Sequence, residues 1–242
     1  MSLAPAASAA PPPEERAHKP RNLCLFDLDH TLIPIDSDHA WGDFQITLGW
    51  VDGDAFKRRN DEFYADYEAG TLDIATYVEF ATRGFRDRPA DEQKAGHDGF
   101  MRDVVAPVML PAARQLVRQH QEAGDLTAII TATNEFVTAP IAAAFGVPHL
   151  LAVQLERNAG GTITGRIQGL PTFREGKVTR TEQWLASMGL AWTDFERISV
   201  YSDSPNDLPL LEKASDPVAT NPSPLLETIA RDRGWRVLKL FP

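Results

Sequence analysis

The sequence is poor in cysteine, in long apolar runs and in positive charge. One cysteine, Cys24, among 242 residues excludes an internal disulfide framework and fits a reducing compartment, so a cytoplasmic protein is expected. No apolar stretch approaches the ~18 residues of a membrane-spanning helix; even residues 104–113 are broken by Pro107 and Pro111. No membrane partner is expected. Lys and Arg number 24 against 34 Asp and Glu, a net charge of −10, which opposes the phosphate attraction behind nonspecific nucleic-acid binding. Lys57-Arg58-Arg59 is too short to make a basic groove, and nucleic acid is not an expected partner. Repeats of fixed period are absent. The Ala/Pro-rich first twenty residues lack the basic start and continuous apolar stretch of a secretory signal and read as a disordered tail, 1–20.

What is present is an ordinary globular composition, 43% hydrophobic and 24% charged. At about 150 residues per domain the length admits one domain with a large insertion or two small ones. Residues 22–27 are almost wholly apolar and end in acid, the pattern of a strand buried on both faces of a parallel sheet. Residues 126–131 and 197–203 repeat that shape, and 217–220 and 235–240 are shorter versions. Helical spacing alternates with these runs over 111–123, 178–188 and 224–233, the first and last stopped by Gly124 and Gly234. The alternation predicts an α/β fold with a doubly wound parallel sheet.

Between the first two strands, residues 35–108 carry helical spacing without a convincing strand. Trp41, Phe44 and Leu48 share one face, Phe56, Phe63 and Tyr67 another, and Ile74, Val78 and Ala81 a third after Gly70. These residues read as the core of a helical insertion. The chain thus divides into a core, 21–34 and 109–242, and an α-helical cap, 35–108. Residues 153–164, around Asn158 to Gly161, read as a β-hairpin.

Ligands of open α/β sheets collect at the carboxyl ends of the strands, and there the sequence places its chemistry. Asp27-Leu28-Asp29-His30-Thr31 sets two carboxylates two residues apart, on one side of an extended chain. The plain alternative is an Asp-rich turn or helix cap. The functional reading is a Mg²⁺ site with one carboxylate as nucleophile and ligand, its neighbour held partly protonated as general acid and base. Ser202-Asp203-Ser204-Pro205-Asn206-Asp207 is either a second half of that hard-oxygen site or an Asx-turn starting a helix. Thr131 and Lys177 would supply the hydroxyl and ammonium that a transferring phosphoryl group needs. Alternation turns His30 away from the aspartates, toward a structural or flap contact. Cys24 reads as a small apolar filler of a buried strand.

DLDHT, then a hydrophobic strand ending in Thr131, then Gly176-Lys177 and SDSPND, resemble the four ordered motifs of the haloacid dehalogenase superfamily. The likeness is strongest to the branch resembling phosphoserine phosphatase, whose helical cap lies between the first and second motifs. By this resemblance Asp27 is the nucleophile, forming an aspartyl-phosphate, and Asp29 the acid that protonates the leaving oxygen and then activates water. Mg²⁺ is held by the Asp27 carboxylate, the Asp29 backbone carbonyl and Asp203, with Asp207 behind them. Thr131, the Ala132 amide, Lys177 and Asn206 contact the phosphoryl oxygens. An acid at position 29 favours a phosphatase over a dehalogenase, because an oxygen leaving group needs a proton.

The resemblance also bears on substrate. Asp36 stands where phosphoserine phosphatases place the acid that grips the amino group of serine, while Val78-Glu79 falls where they place a carboxylate-binding arginine. In that register Asp36, Asp38 and Glu79 favour a cationic alcohol, of which histidinol phosphate is one; otherwise they are solvated cap acids. Arg83, Arg86 or Arg88 would restore a site for an acidic substrate. The leading expectation is a Mg²⁺-dependent phosphomonoesterase for a small phosphorylated metabolite. Phosphoserine hydrolysis, phosphoryl transfer to an alcohol through the same intermediate, and noncatalytic phosphometabolite binding are the alternatives. The sequence leaves the oligomeric state open.

Overall fold

The computed structural model describes residues 21–241; the tail expected at 1–20 lies outside the described residues. In chain order the elements are β1 (Asn22–Phe26), α1 (Ser37–Thr47), α2 (Gly53–Glu68), α3 (Ile74–Thr82), α4 (Ala90–Phe100), a π-helical turn Met101–Val105, α5 (Ala106–Val108), α6 (Pro111–Glu122), β2 (Leu126–Asn134), α7 (Glu135–Phe145), β3 (His149–Val153), β4 (Leu155–Arg157), β5 (Ile163–Ile167), α8 (Glu175–Ser187), β6 (Arg197–Ser202), α9 (Leu208–Leu211), β7 (Asp216–Thr220), α10 (Pro224–Asp232) and β8 (Arg236–Leu238). Six strands form one parallel sheet in the order β3-β2-β1-β6-β7-β8. Chain order reverses at β1, so the carboxyl ends of β1, β2 and β6 open onto the crevice where such sheets bind ligands.

The run Leu23-Cys24-Leu25-Phe26 is fully buried because its alternate side chains enter two different cores. Cys24 and Phe26 pack with Ile129, Val117, Val137 and Ile141 under α6 and α7. Leu23 and Leu25 pack with Leu185, Leu210, Leu211 and Leu226 under α8, α9 and α10. Helices therefore cover both faces, and the fold is a doubly wound α/β sheet with an inserted α-helical cap. Cys24 is the expected buried filler. Among the described residues, no helix is long and apolar enough to cross a membrane.

Helices α1–α4 fall within the stretch read as an insertion. Asp36 and Asp73 cap α1 and α3, accepting from the His39 amide and from the Ala75 and Thr76 amides. Two apolar centres organise the insertion. Phe56 stacks on Phe80 at 4.3 Å, with Phe63 beside them. Trp41 meets Phe44, Trp50, Phe85 and Phe100 at ring separations of 5.2–6.0 Å, and Phe136 of α7 at 5.7 Å. Phe136 also stacks on Phe85 at 4.1 Å, so this second centre runs into the sheet's own core and anchors the cap base. Leu48, expected on the Trp41 face, is instead 36% exposed, because it follows the last residue of α1.

The hairpin β4–β5 is antiparallel, its turn held by Asn158 Oδ1, which accepts from the Gly160 and Thr162 amides. At Gly165 (φ +86°) the backbone itself favours glycine, and a Cβ would sit 2.2 Å from Arg86 Nη1, displacing the end of that side chain beside the hairpin. Trp41→Ala should cost about 3–5 kcal/mol through the cavity it opens, while Leu225→Ala, at a 60% exposed position, should stay within about 0.5 kcal/mol. Urea denaturation of both variants checks the contrast, and equal losses would contradict the packing described.

Candidate active site

Asp27 extends β1 by one residue, its amide donating to the Tyr201 carbonyl at 2.9 Å. The chain then turns about the Leu28 carbonyl, which accepts from the amides of Thr31, Leu32 and Ile33, all three residues being buried. This fold-back returns Thr31 to the strand ends. Its Oγ1 lies 3.2 Å from both Asp27 Oδ2 and Asp203 Oδ1 and accepts from the Asp203 amide at 3.1 Å. The turn puts His30 at φ +55°, and its Nε2 meets the Tyr64 hydroxyl of the cap at 3.2 Å, the flap contact expected.

Lys177, on the first turn of α8, is 2% exposed. Its Nζ donates to Asp27 Oδ1 at 2.8 Å and to Asp207 Oδ2 at 2.7 Å, and Ser202 Oγ donates to the same Asp207 oxygen at 2.7 Å. Burial works against the ammonium, but Asp207 and Asp27 overcome it and hold the lysine protonated, its pKa above the ordinary value. Asp203 is instead driven toward its neutral form. Burial first, and then the charges of Asp27 and Asp207, raise its pKa well above the usual carboxylate range.

That repulsion bears on a metal. Among the described residues no cluster of three or more His, Cys, Asp or Glu side chains is placed to hold one, so an all-side-chain cage is not what this site offers. It offers a buried carboxylate, Asp27, and a half-buried one, Asp203, converging on one hydroxyl whose single hydrogen serves one of them at a time. A hard divalent cation relieves that conflict, and Mg²⁺ takes one or two carboxylates together with carbonyl, water and phosphate oxygens. The donor set fits it.

Asp29 lines the same cavity as Asp27 under different constraints. Its Oδ1 accepts from the Ser37 amide and its Oδ2 from the Thr133 hydroxyl, both at 2.8 Å. Burial, and next the negative charge of Asp36, raise its pKa from 3.8 to about 6, against the pull of the Ser37 and Thr133 hydrogen bonds. A carboxyl so placed carries a proton part of the time near neutrality, as a general acid that later becomes a base requires.

The rest of the cavity wall comes from Thr131, Ala132 and Thr133 and, across from them, from Asp36, Asp38, His39, Asn60, Phe63, Tyr64, Tyr67, Leu72, Ile74 and Tyr77. Asp38 is 5% exposed, accepts from Asn134 Nδ2 at 3.1 Å and is hydrogen-bonded to Tyr77. Burial, then Asp36 and Asp29, push its pKa well up. Lysine and arginine are missing from this wall.

Asp27, Asp29, Asp36, Asp38, Thr131 and Ala132 therefore come together as the sequence predicts, with Lys177, Asp203 and Asp207 joined to them through Asp27 and Thr31. Asn206 sits on the rim, its Nδ2 donating to the Tyr67 carbonyl at 3.4 Å. Glu79, expected with Asp36 and Asp38, is a correction. Ile74, Tyr77, Val78 and Ala81 face inward on α3, which turns Glu79 outward to pair with Arg83 at 3.2 Å, both half-exposed. Arg83 is thereby kept from the cavity, while Arg88 is held on Trp50 and Glu92 and Arg86 lies beside the hairpin. Phe63 and Tyr67, read as cap core, also face the cavity. Sequence reasoning missed Thr133, although the two-residue period places it beside Thr131, and it missed Tyr64 and Tyr77, which no motif marks.

A family model described as haloacid dehalogenase-like hydrolase matches residues 24–212. A histidinol-phosphatase from Neisseria meningitidis is 43% identical over 218 residues, 90% of this chain and 98% of that protein. Among solved structures, a protein of unknown function from Bordetella pertussis superposes with a TM-score of 0.87 at 51% identity, over 92% of this chain and 100% of that one. A substrate-bound phosphoserine phosphatase shares the fold, with a TM-score of 0.63 at 15% identity over 91% of this chain and 93% of that one.

Two substitutions test the Asp29 environment. Asp36→Asn removes a negative neighbour and should lower the Asp29 pKa from about 6, whereas Thr133→Val removes a hydrogen bond to the ionised form and should raise it. Since the folded-state value stands above the ordinary 3.8, the folded chain holds this proton more tightly, and ionising it costs stability as pH rises through about 6. Carboxyl ¹³C NMR titration without added metal reads both shifts, and movement in the same direction would contradict the arrangement.

Proposed function

Because the chain belongs to the haloacid dehalogenase-like hydrolase family and is a phosphatase of it, we propose that it hydrolyses a small phosphomonoester bearing a cationic group, of the histidinol phosphate kind. Asp27 is the nucleophile and Asp29 the proton carrier. The observation that carries the substrate reading is the cavity wall, where Asp36 and Asp38 stand among Tyr64, Tyr67, Tyr77 and Phe63 without a lysine or arginine. Phosphoserine brings a carboxylate, which such a wall repels and no lysine or arginine there offsets. A cationic group meets carboxylates whose mutual repulsion it relieves and aromatic faces that attract it. The Neisseria meningitidis relative named a histidinol-phosphatase supports the same choice.

In the proposed reaction Asp27 Oδ2 attacks phosphorus while Oδ1 stays on Lys177, whose second carboxylate partner, Asp207, fixes the ammonium in place. Asp27, Asp203 and the Asp29 carbonyl would hold Mg²⁺, which would supply charge neutralisation at the phosphoryl oxygens. Asp29 gives its proton to the departing alkoxide, and the Thr133 hydroxyl and Ser37 amide then steady the carboxylate left behind. With that proton gone, Asp29 takes one from the water that attacks the aspartyl-phosphate, returning the site to its starting state. Thr131, the Ala132 amide, Lys177 and Asn206 would meet the phosphoryl oxygens. Residues 35–108 form the cap that keeps bulk water from the intermediate.

Phosphate release from a panel of phosphomonoesters, with and without Mg²⁺, tests this. Metal-dependent release is expected, lost in Asp27→Asn, with kcat/KM for histidinol phosphate exceeding that for phosphoserine by about 100-fold, the scale of an unpaired buried charge. Faster turnover of phosphoserine would overturn the substrate reading, and an active Asp27→Asn the catalytic one.

A further inference from the structure

Arg174 has φ +53° and ψ −123°, a backbone conformation that side chains avoid. Such a residue costs on the order of 1–3 kcal/mol and persists where its surroundings over-determine it. Here they do so from both ends. Thr172 Oγ1 donates to the Thr131 carbonyl at 2.6 Å. The Gly176 and Lys177 amides reach back to the carbonyls of Phe173 and Arg174 at 2.9 and 3.0 Å. The bend is so tight that a Cβ at Gly176 would fall 2.1 Å from the Pro171 carbonyl oxygen. The strained residue therefore introduces the helix that carries Lys177.

Its side chain leaves the core for the cap. The guanidinium lies 5.0 Å from the centre of the Phe173 ring and donates to the Gly70 carbonyl, in the turn that follows α2. Gly70 is at φ +70°, and a Cβ there would sit 2.7 Å from Arg174 Nη2 and 3.6 Å from Asn206 Oδ1. Asn206 Nδ2 donates at 3.4 Å to the carbonyl of Tyr67, in the last turn of α2. Gly70 lies one residue past Ala69, the C-cap of α2, beside the negative end of the helix dipole. The last turn of α2 has no basic residue of its own, and the core supplies the cation instead.

We infer that Arg174 is a positioning residue, which seats the cap by holding the carboxyl end of α2 against the loop leading to Lys177. Tyr67 belongs to that end and lines the cavity, so the seat sets the cavity wall that the substrate meets. Its role in substrate binding rests on the phosphatase reading above. Release of the guanidinium loosens the wall and leaves Asp27, Asp29 and Lys177 in place, so the effect falls on substrate binding.

The test compares Arg174→Met, which keeps the bulk, with Arg174→Gly, which also relieves the backbone. In both, KM for the preferred phosphomonoester should rise about tenfold, the scale of one hydrogen bond to a charged group, with kcat within about threefold. Amides of residues 68–72 should exchange faster with deuterium in both. Millimolar guanidinium should restore KM in Arg174→Gly and not in Arg174→Met, an outcome that a general loss of stability does not produce. Unchanged KM, a loss confined to kcat, or no rescue would overturn the inference. The exchange measurement separates it from the phosphatase reading: if the wild type released no phosphate, faster exchange at 68–72 would still support the seat and unchanged exchange would overturn it.

Discussion

Lys177 places an ammonium where β1, β6 and α8 converge, almost out of reach of water, with a carboxylate on either side. Burying such a charge costs several kcal/mol unless good geometry repays it, and losing one partner of a buried pair typically costs about 3–5 kcal/mol. The arrangement therefore constrains its neighbours. The bend at Pro171–Gly176 must start α8 at one point, Ser202 must hold Asp207, and β1 must end where Asp27 faces the lysine. The same constraint orients the Asp27 carboxylate, tying one oxygen to Lys177 and leaving the other near Thr31 and Asp203. Stability and chemistry meet in one cluster.

The cap adds a second electrostatic decision. Asp36, Asp38 and Asp29 face one cavity, and burial first, then this crowding, raises the pKa values of Asp29 and Asp38. For Asp29 this is useful, since a proton near neutrality suits its proposed work. For Asp36 and Asp38 it sets what the pocket tolerates, because a cation lowers the repulsion and an anion adds to it. The Trp41–Phe136 cluster anchors one side of the cap to the sheet, and the carboxyl end of α2 rests on the core at the other.

Much of this was legible in the sequence. The sheet strands announced themselves as apolar runs, the longer ones ending in a polar or acidic residue, and β1, β2, β6, β7 and β8 stand close to where those runs lie. Helix α7 and strand β3 did not stand out. Pro140 lies within the unbroken α7, where a sequence reading expects a helix breaker. At the site, residues fixed by local spacing were found, Asp27 with Asp29 and Asp203 with Asp207. Residues fixed by helix register were not. Glu79 lies two positions from Tyr77, and those two steps turn it from cavity wall to outer surface; a register read from a motif likeness does not resolve such a rotation. Thr133, Tyr64 and Tyr77 matter through long-range contacts, which leave no periodic trace.

In the proposed mechanism Asp27 takes the phosphoryl group before water does. Mixing enzyme with substrate, quenching in acid on the millisecond scale and locating the phosphoryl adduct by peptide mass spectrometry tests it most directly. The account predicts an adduct on Asp27 that forms and decays at rates compatible with turnover. Turnover without an adduct, or an adduct on another residue, would contradict it.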